Sequence, residues 1–227
     1  MTILKLNFFS RGQGTGAVDV QEAVAETDKV LEKFHSGNLL VHVVPLPGIV
    51  RGDEGFELDL TTWKSKLEYL GSDNGMPNTS TTLIMEGTSI ELYVNPTGFI
   101  FDATQVEVEN VALRDSGSGH NPTDLHTIDD LKDYYKAKTG SHEYNEVLVN
   151  ARGDNVLGLV IRKGVKAAST LAGFEAVRSY LRTQDLNFPV YEYDEREGSM
   201  KKYQGPNRSE LLEGLSPTMR PIYEKTI

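Results

Sequence analysis

Three kinds of residue in this chain could do chemistry together, and they stand in a fixed order. Arg11 follows a short apolar run, residues 3–9, that the β-favouring composition marks as a strand. A guanidinium at a strand end can clamp a phosphate or carboxylate through two parallel N–H donors. In mid-chain, Asn78-Thr79-Ser80-Thr81-Thr82-Leu83 runs hydroxyls into a strand, and alternation puts Ser80 and Thr82 on one face. A short hydroxyl there can orient a neighbouring carboxylate. Such a carboxylate comes late: Glu146 opens the apolar run Glu146-Val147-Leu148-Val149 after a polar loop. Alternation groups Tyr144, Glu146 and Leu148 on one face, so the acid points with an apolar neighbour and needs a partner.

A fourth feature is Gly12-Gln13-Gly14-Thr15-Gly16-Ala17, where Gly12, Gly14 and Ala17 fit the G-x-G-x-x-A pattern between a strand and a helix. That pattern seats a pyrophosphate on a helix N-terminus when the next strand ends in an acid for the ribose. Here the next strand ends in Pro45-Leu46-Pro47, so the turn alone remains.

The elements that position these groups can be read from periodicity. Val20, Val24, Leu31 and Phe34 recur at helical spacing over 18–36, and Gly37 closes that helix. Strands are expected at 39–46, 83–85, 89–95, 98–102 and 106–113. Helices are expected at 60–70 and, with Thr127 as cap, at 127–138. A loop is expected at 71–78 and a glycine-serine loop at 116–122. Two further strands, 146–150 and 156–162, flank Arg152-Gly153-Asp154-Asn155. A helix over 164–183 and a terminal hairpin, 189–193 with 200–203, precede a polar, proline-punctuated end. Strands outnumber helices without regular alternation, which predicts an α+β protein. The length suits one domain with a modest appendage: residues 1–163, then a C-terminal helix and hairpin, 164–227, packed on the same domain.

Composition narrows the partners. The 227 residues carry 23 Lys and Arg against 33 Asp and Glu, a formal charge of −10. That balance argues against nucleic acid, which needs a basic stripe, and against anionic lipid. No apolar run is long enough to span a bilayer. With no cysteine, thiolate metal sites and cysteine nucleophiles are excluded. The five histidines, 35, 42, 120, 126 and 142, show no zinc-like spacing and read as structural or surface groups. Two Arg-Gly-Asp tripeptides, at 51–53 and 152–154, read as turns. The first residues lack the basic-apolar-small pattern of a secretory signal.

The order of Phe8-Phe9-Ser10-Arg11-Gly12, the Thr79-Ser80-Thr81 triplet and Glu143-Tyr144-Asn145-Glu146 resembles the cholera-toxin-like mono-ADP-ribosyltransferases, whose pattern is Arg, Ser-Thr-Ser, Glu-x-Glu. The likeness covers about residues 3–163 through short motifs. It implies strand-rich mixed sheets around an NAD cleft with flanking helices, and NAD as substrate. It implies that Arg11 holds an NAD phosphate, with Gly12, Thr79, Thr81 and Phe99 also lining the ligand. Ser80, or a threonine beside it, would support Glu146, and Glu146 would bind the nicotinamide ribose. An aromatic residue would stack on nicotinamide, with Phe99, Phe101 and Tyr93 as candidates. Tyr144 stands where the family usually carries Glu or Gln, a position that helps choose the acceptor. The resemblance further implies a toxin or effector, acting on a protein acceptor in a target cell, and secreted or injected by a signal not readable here; otherwise it is cytoplasmic. Two other functions fit the same residues: an NAD glycohydrolase on this scaffold, or a non-catalytic interaction protein.

Overall fold

A computed structural model describes residues 29–53, 55–92, 94–113, 125–137 and 144–227. The fold is α+β, with one large mixed sheet and several helices. The expectations for Arg11, Gly12, the strand at 3–9, most of the helix at 18–36, the loop at 116–122, His120, His142, Glu143 and Tyr93 lie outside the described residues.

Among the described residues there are ten strands: β1 (Leu39–Val43), β2 (Gly48–Gly52), β3 (Gly55–Asp59), β4 (Met76–Ile84), β5 (Thr97–Asp102), β6 (Glu107–Ala112), β7 (Glu146–Ala151), β8 (Val156–Arg162), β9 (Val190–Asp194) and β10 (Ser199–Lys202). The helices are α1, with residues 29–35 described, α2 (Thr61–Leu70), α3 (Ile128–Ala137), α4 (Ala168–Thr183), α5 (Arg208–Glu213) and α6 (Arg220–Glu224). The sheet order is β10-β9-β8-β5-β1-β4-β7-β6. Every neighbouring pair is antiparallel except β8 and β9. A parallel pair needs a crossover, and α4 supplies it. The strands β2 and β3 form a separate ribbon.

The central strands β1, β5 and β8 are apolar on both faces because helices cover both. Trp63 of α2 sits 5.0 Å from Phe99 on one face, and Phe34 of α1 packs edge-on against Tyr193 at 6.1 Å on the other. Trp63, Leu67 and Leu70 give α2 its buried stripe at helical spacing. Just before its N-cap, Leu60, the Asp59 carboxylate accepts the Thr61 N–H at 2.9 Å in an Asx turn. The expected cap at Thr127 is present. Its hydroxyl accepts the Asp130 N–H at 3.1 Å while Asp130 accepts the Thr127 N–H at 2.9 Å, a reciprocal capping box. From α4, Phe174, Val177 and Leu181 enter the main core, and Ala172 and Ala176 join Leu211, Leu212, Leu215 and Tyr223 in a second cluster.

The differences from expectation have local causes. Residues 76–78 begin β4 instead of ending a loop. There the ladder with β7 carries an irregularity between Met76 and Thr79, and Asn78 takes φ 51°, a left-handed value that asparagine tolerates. Residues 89–92, expected as part of a strand, belong to no strand or sheet. Their polar groups are met by the β9–β10 turn and the end of β8: Ser89 donates to the Glu195 carbonyl at 2.6 Å, the Leu92 N–H donates to the Glu195 carboxylate, and Arg162 of β8 donates to the Leu92 carbonyl at 2.6 Å. Strands β7 and β8, adjacent in sequence, are separated in the sheet by β4, β1 and β5. The C-terminal end forms α5 and α6, which their short length hid from periodicity. Of the two Arg-Gly-Asp tripeptides, Arg51-Gly52-Asp53 lies at the ribbon turn and Arg152 caps a 3₁₀ turn over Gly153–Asn155. No helix among the described residues is long and apolar enough to cross a membrane.

Candidate active site

The site is built on β4. The C-terminal half of that strand pairs with β1, matching Thr82 to Val41, and its N-terminal half pairs with β7, matching Ser80 to Leu148. Since Ser80 lies opposite Leu148, and Glu146 is two residues along β7 from Leu148, their side chains project from the same face. Ser80 Oγ donates to Glu146 Oε1 at 2.6 Å. Glu146 is only 6% exposed, so the bond is made in a place where an unpaired carboxylate would be strongly disfavoured. A length of 2.6 Å lies in the short range of O–H···O⁻ bonds, which are about twice as strong as neutral ones.

Tyr144 joins the same cluster, its phenol oxygen 3.3 Å from Ser80 Oγ. A serine hydroxyl has one hydrogen. With that hydrogen given to the carboxylate, the phenol is the donor to Ser80. The three side chains then form a relay from Tyr144 through Ser80 to Glu146. Sequence spacing alone placed Tyr144, Glu146 and Leu148 on one face; it could not supply the cross-strand register that puts Ser80 beside them.

Three residues expected to line the ligand are buried. Thr79 and Thr81 point to the opposite face from Ser80. Thr79 Oγ1 donates to the Met76 carbonyl at 2.8 Å and Thr81 Oγ1 to the Val147 carbonyl at 2.7 Å, and both residues are buried. Their hydroxyls satisfy backbone where the β4–β7 ladder is irregular or ending. Phe99, expected to stack on a ligand, is fully buried against Trp63, Phe101 and Phe188. Phe101 is fully buried as well. Of the three hydroxyls in Thr79-Ser80-Thr81, the one that reaches the acid is that of the central Ser80.

Sequence reasoning missed His42 on β1. Its Nδ1 lies 2.8 Å from the Ser80 carbonyl. Burial, offset in part by that hydrogen bond and reinforced by the charge of Lys66, lowers its pKa from 6.5 to about 4. The ring is therefore neutral near pH 7. A carbonyl can only accept, so Nδ1 carries the hydrogen and Nε2 is left as the basic nitrogen. Nε2 is buried without a hydrogen-bond partner among the described residues. Nothing in a lone histidine within Leu-Leu-Val-His-Val marked it; only the pairing of β1 with β4 brings it to Ser80. The close fit of β1 with β5 helps fix it, since a Cβ on Gly98 would fall 2.2 Å from the His42 carbonyl oxygen.

Among the described residues no group of three or more His, Asp or Glu could hold a metal ion. No protein-family model matches the chain, and no curated protein matches it. The chemistry of the site is thus read from its own residues: a buried carboxylate, a serine hydroxyl aimed at it, a phenol behind the serine and a neutral imidazole on the serine's backbone.

Proposed function

We propose that the chain is an NAD-dependent mono-ADP-ribosyltransferase acting on a protein acceptor, with Glu146 as the catalytic carboxylate. One observation carries this reading: the 2.6 Å bond from Ser80 to a buried Glu146 across β4 and β7. The pairing of a strand serine with a later strand-opening glutamate is the one implied by the resemblance to the cholera-toxin-like enzymes. It brings with it the proposal that the sheet and its helices form an ADP-ribosyltransferase-like fold.

In this reading one Glu146 oxygen is held by Ser80 and the other accepts from the 2′-hydroxyl of the nicotinamide ribose. The fixed negative charge stabilises the oxocarbenium-like cation that forms as the bond from the anomeric carbon to nicotinamide breaks. Nicotinamide leaves with the bonding electrons, and an acceptor nucleophile adds to the anomeric carbon. Holding the carboxylate in place before reaction is the kind of electrostatic preorganisation that supplies large rate effects in a dry site. Arg11 would hold an NAD phosphate. The source of the acceptor would be a target cell reached by secretion or injection.

A second reading is favoured by one residue. Tyr144 puts a phenol two residues before Glu146, where related enzymes place a carboxylate or amide that helps to choose the acceptor. An NAD glycohydrolase, with water as acceptor, fits that replacement. Incubation with NAD labelled on its adenine separates the two. Label carried onto protein supports the transferase; free ADP-ribose formed at full rate without any protein acceptor supports the hydrolase; no nicotinamide release in either case overturns both.

A further inference from the structure

The β4–β7 ladder includes Ser80 and stops one residue short of Glu146. Its last backbone match is Thr81 with Val147. Continuing it would place Leu83 opposite Asn145, and there the main chain is replaced by a side chain. Asn145 Oδ1 accepts the Leu83 N–H at 2.8 Å, and Asn145 Nδ2 donates to the Leu83 carbonyl at 2.9 Å. Asn145 is fully buried. Its amide therefore satisfies two interior backbone groups that a strand would otherwise have to meet. Thr81 adds a third side-chain bond across the same gap, to the Val147 carbonyl.

This arrangement has a geometric consequence. An amide that binds both polar groups of one residue fixes translation along β4 and rotation about it. Asn145 points into the core, so Glu146, its neighbour in an extended strand, must point to the opposite face. On that face the Tyr144 phenol also lies 3.3 Å from the Ser80 hydroxyl. An apolar residue at 145 would fill the core but leave both Leu83 groups unmet. An aspartate would keep the acceptor and lose the donor.

We infer that Asn145 is a positioning residue, whose two bonds to Leu83 set where β7 begins and hold Glu146 within reach of Ser80. Its effect passes through the Ser80–Glu146 contact and not through any contact with a ligand.

The test compares wild type, Asn145→Ala, Ser80→Ala and the double variant. It measures kcat and KM for nicotinamide release, and the carboxyl ¹³C resonance of Glu146 with no ligand present. The kinetic arm rests on the NAD reading; the resonance does not. The expected result is a fall in kcat of about tenfold or more with KM little changed, the scale of loss that small misplacements produce. That fall disappears in the Ser80→Ala background, and the Glu146 resonance moves in Asn145→Ala in the direction it moves in Ser80→Ala. A resonance left at its wild-type position while thermal stability falls would make Asn145 merely structural and overturn the inference, as would losses that multiply in the double variant. If wild type releases no nicotinamide, the NAD reading fails and the resonance alone decides. If Asn145→Ala does not fold, Asn145→Gln keeps both amide groups on a longer arm: a shifted Glu146 resonance supports the inference, and an unshifted one overturns it.

Discussion

Ser80 Oγ and Glu146 Oε1 are joined at 2.6 Å although 66 residues separate them in the chain, because β4 and β7 are neighbours in the sheet. Hydrogen bonds to charged groups contribute about 1.5–3 kcal/mol. Converted to rate, Ser80→Ala should slow nicotinamide release by about 10- to 100-fold. Since the hydroxyl is already committed to Glu146, NAD affinity should change little. Steady-state kinetics beside calorimetric titration with NAD checks this; an equal loss in affinity would place Ser80 on the ligand instead of on the acid.

His42 makes stability depend on pH in a defined window. Its folded pKa of about 4 lies below the unfolded value of 6.5, so the unfolded chain takes up the proton first as pH falls. Stability therefore decreases between pH 6.5 and 4, by on the order of 3 kcal/mol. Urea unfolding at stepped pH should show that slope in wild type and a flatter one in His42→Gln. Equal slopes in both proteins would contradict the assignment of the neutral, buried ring.

Asp102 should act at lower pH. Its carboxylate is buried, which opposes charge, but hydrogen bonds from Thr104 and the ion pair with Lys33 outweigh that and hold its pKa below the ordinary value. Stability from this cluster is present at neutral pH and lost as pH falls below the ordinary carboxylate value and through the lowered folded pKa. Removing the charged partner in Lys33→Met should lower neutral stability by about 3 kcal/mol and shrink the acid-dependent loss. An unchanged unfolding midpoint at pH 7 would show that the pair contributes nothing.

Gly98 should not accept a side chain. An alanine Cβ would lie 2.2 Å from the His42 carbonyl oxygen, a backbone atom that cannot rotate away. Gly98→Ala should therefore cost about 3 kcal/mol, the upper part of the range for overpacking, read as a lower thermal midpoint. A variant as stable as wild type would mean that β1 and β5 are less tightly apposed than described.

Phe99→Leu separates a core role from a ligand role. With its ring enclosed by Trp63, Phe101 and Phe188, the expected result is a loss of about 1–2 kcal/mol of stability and unchanged NAD affinity. A loss of NAD binding without a loss of stability would return Phe99 to the ligand.

How much of this could be read without coordinates depended on range. Local signals carried well: residues 60–70 read as a helix and form α2, Thr127 read as the cap of α3, and alternation put Tyr144 and Glu146 on one face. What alternation could not supply was register between strands distant in sequence. That register decides that Ser80, and not Thr79 or Thr81, reaches Glu146. It also brings His42 to the Ser80 carbonyl and Asn145 to Leu83. The burial of Phe99 was illegible for a related reason: an aromatic in an apolar strand carries no sign of which face is open, and both faces of β5 are covered. Residues 89–92 look like a strand in composition, yet Glu195 and Arg162 meet their polar groups, contacts 70 or more residues away.

The central claim is that Glu146 drives the release of nicotinamide from NAD. The most direct measurement is the rate of that release by wild type and by Glu146→Gln, with NAD binding of both followed by calorimetry. The account predicts that wild type binds and cleaves NAD, and that Glu146→Gln folds and binds it while cleavage falls by at least about a hundredfold. Cleavage by Glu146→Gln at the wild-type rate, or a wild type that neither binds nor cleaves NAD at millimolar concentration, would contradict it.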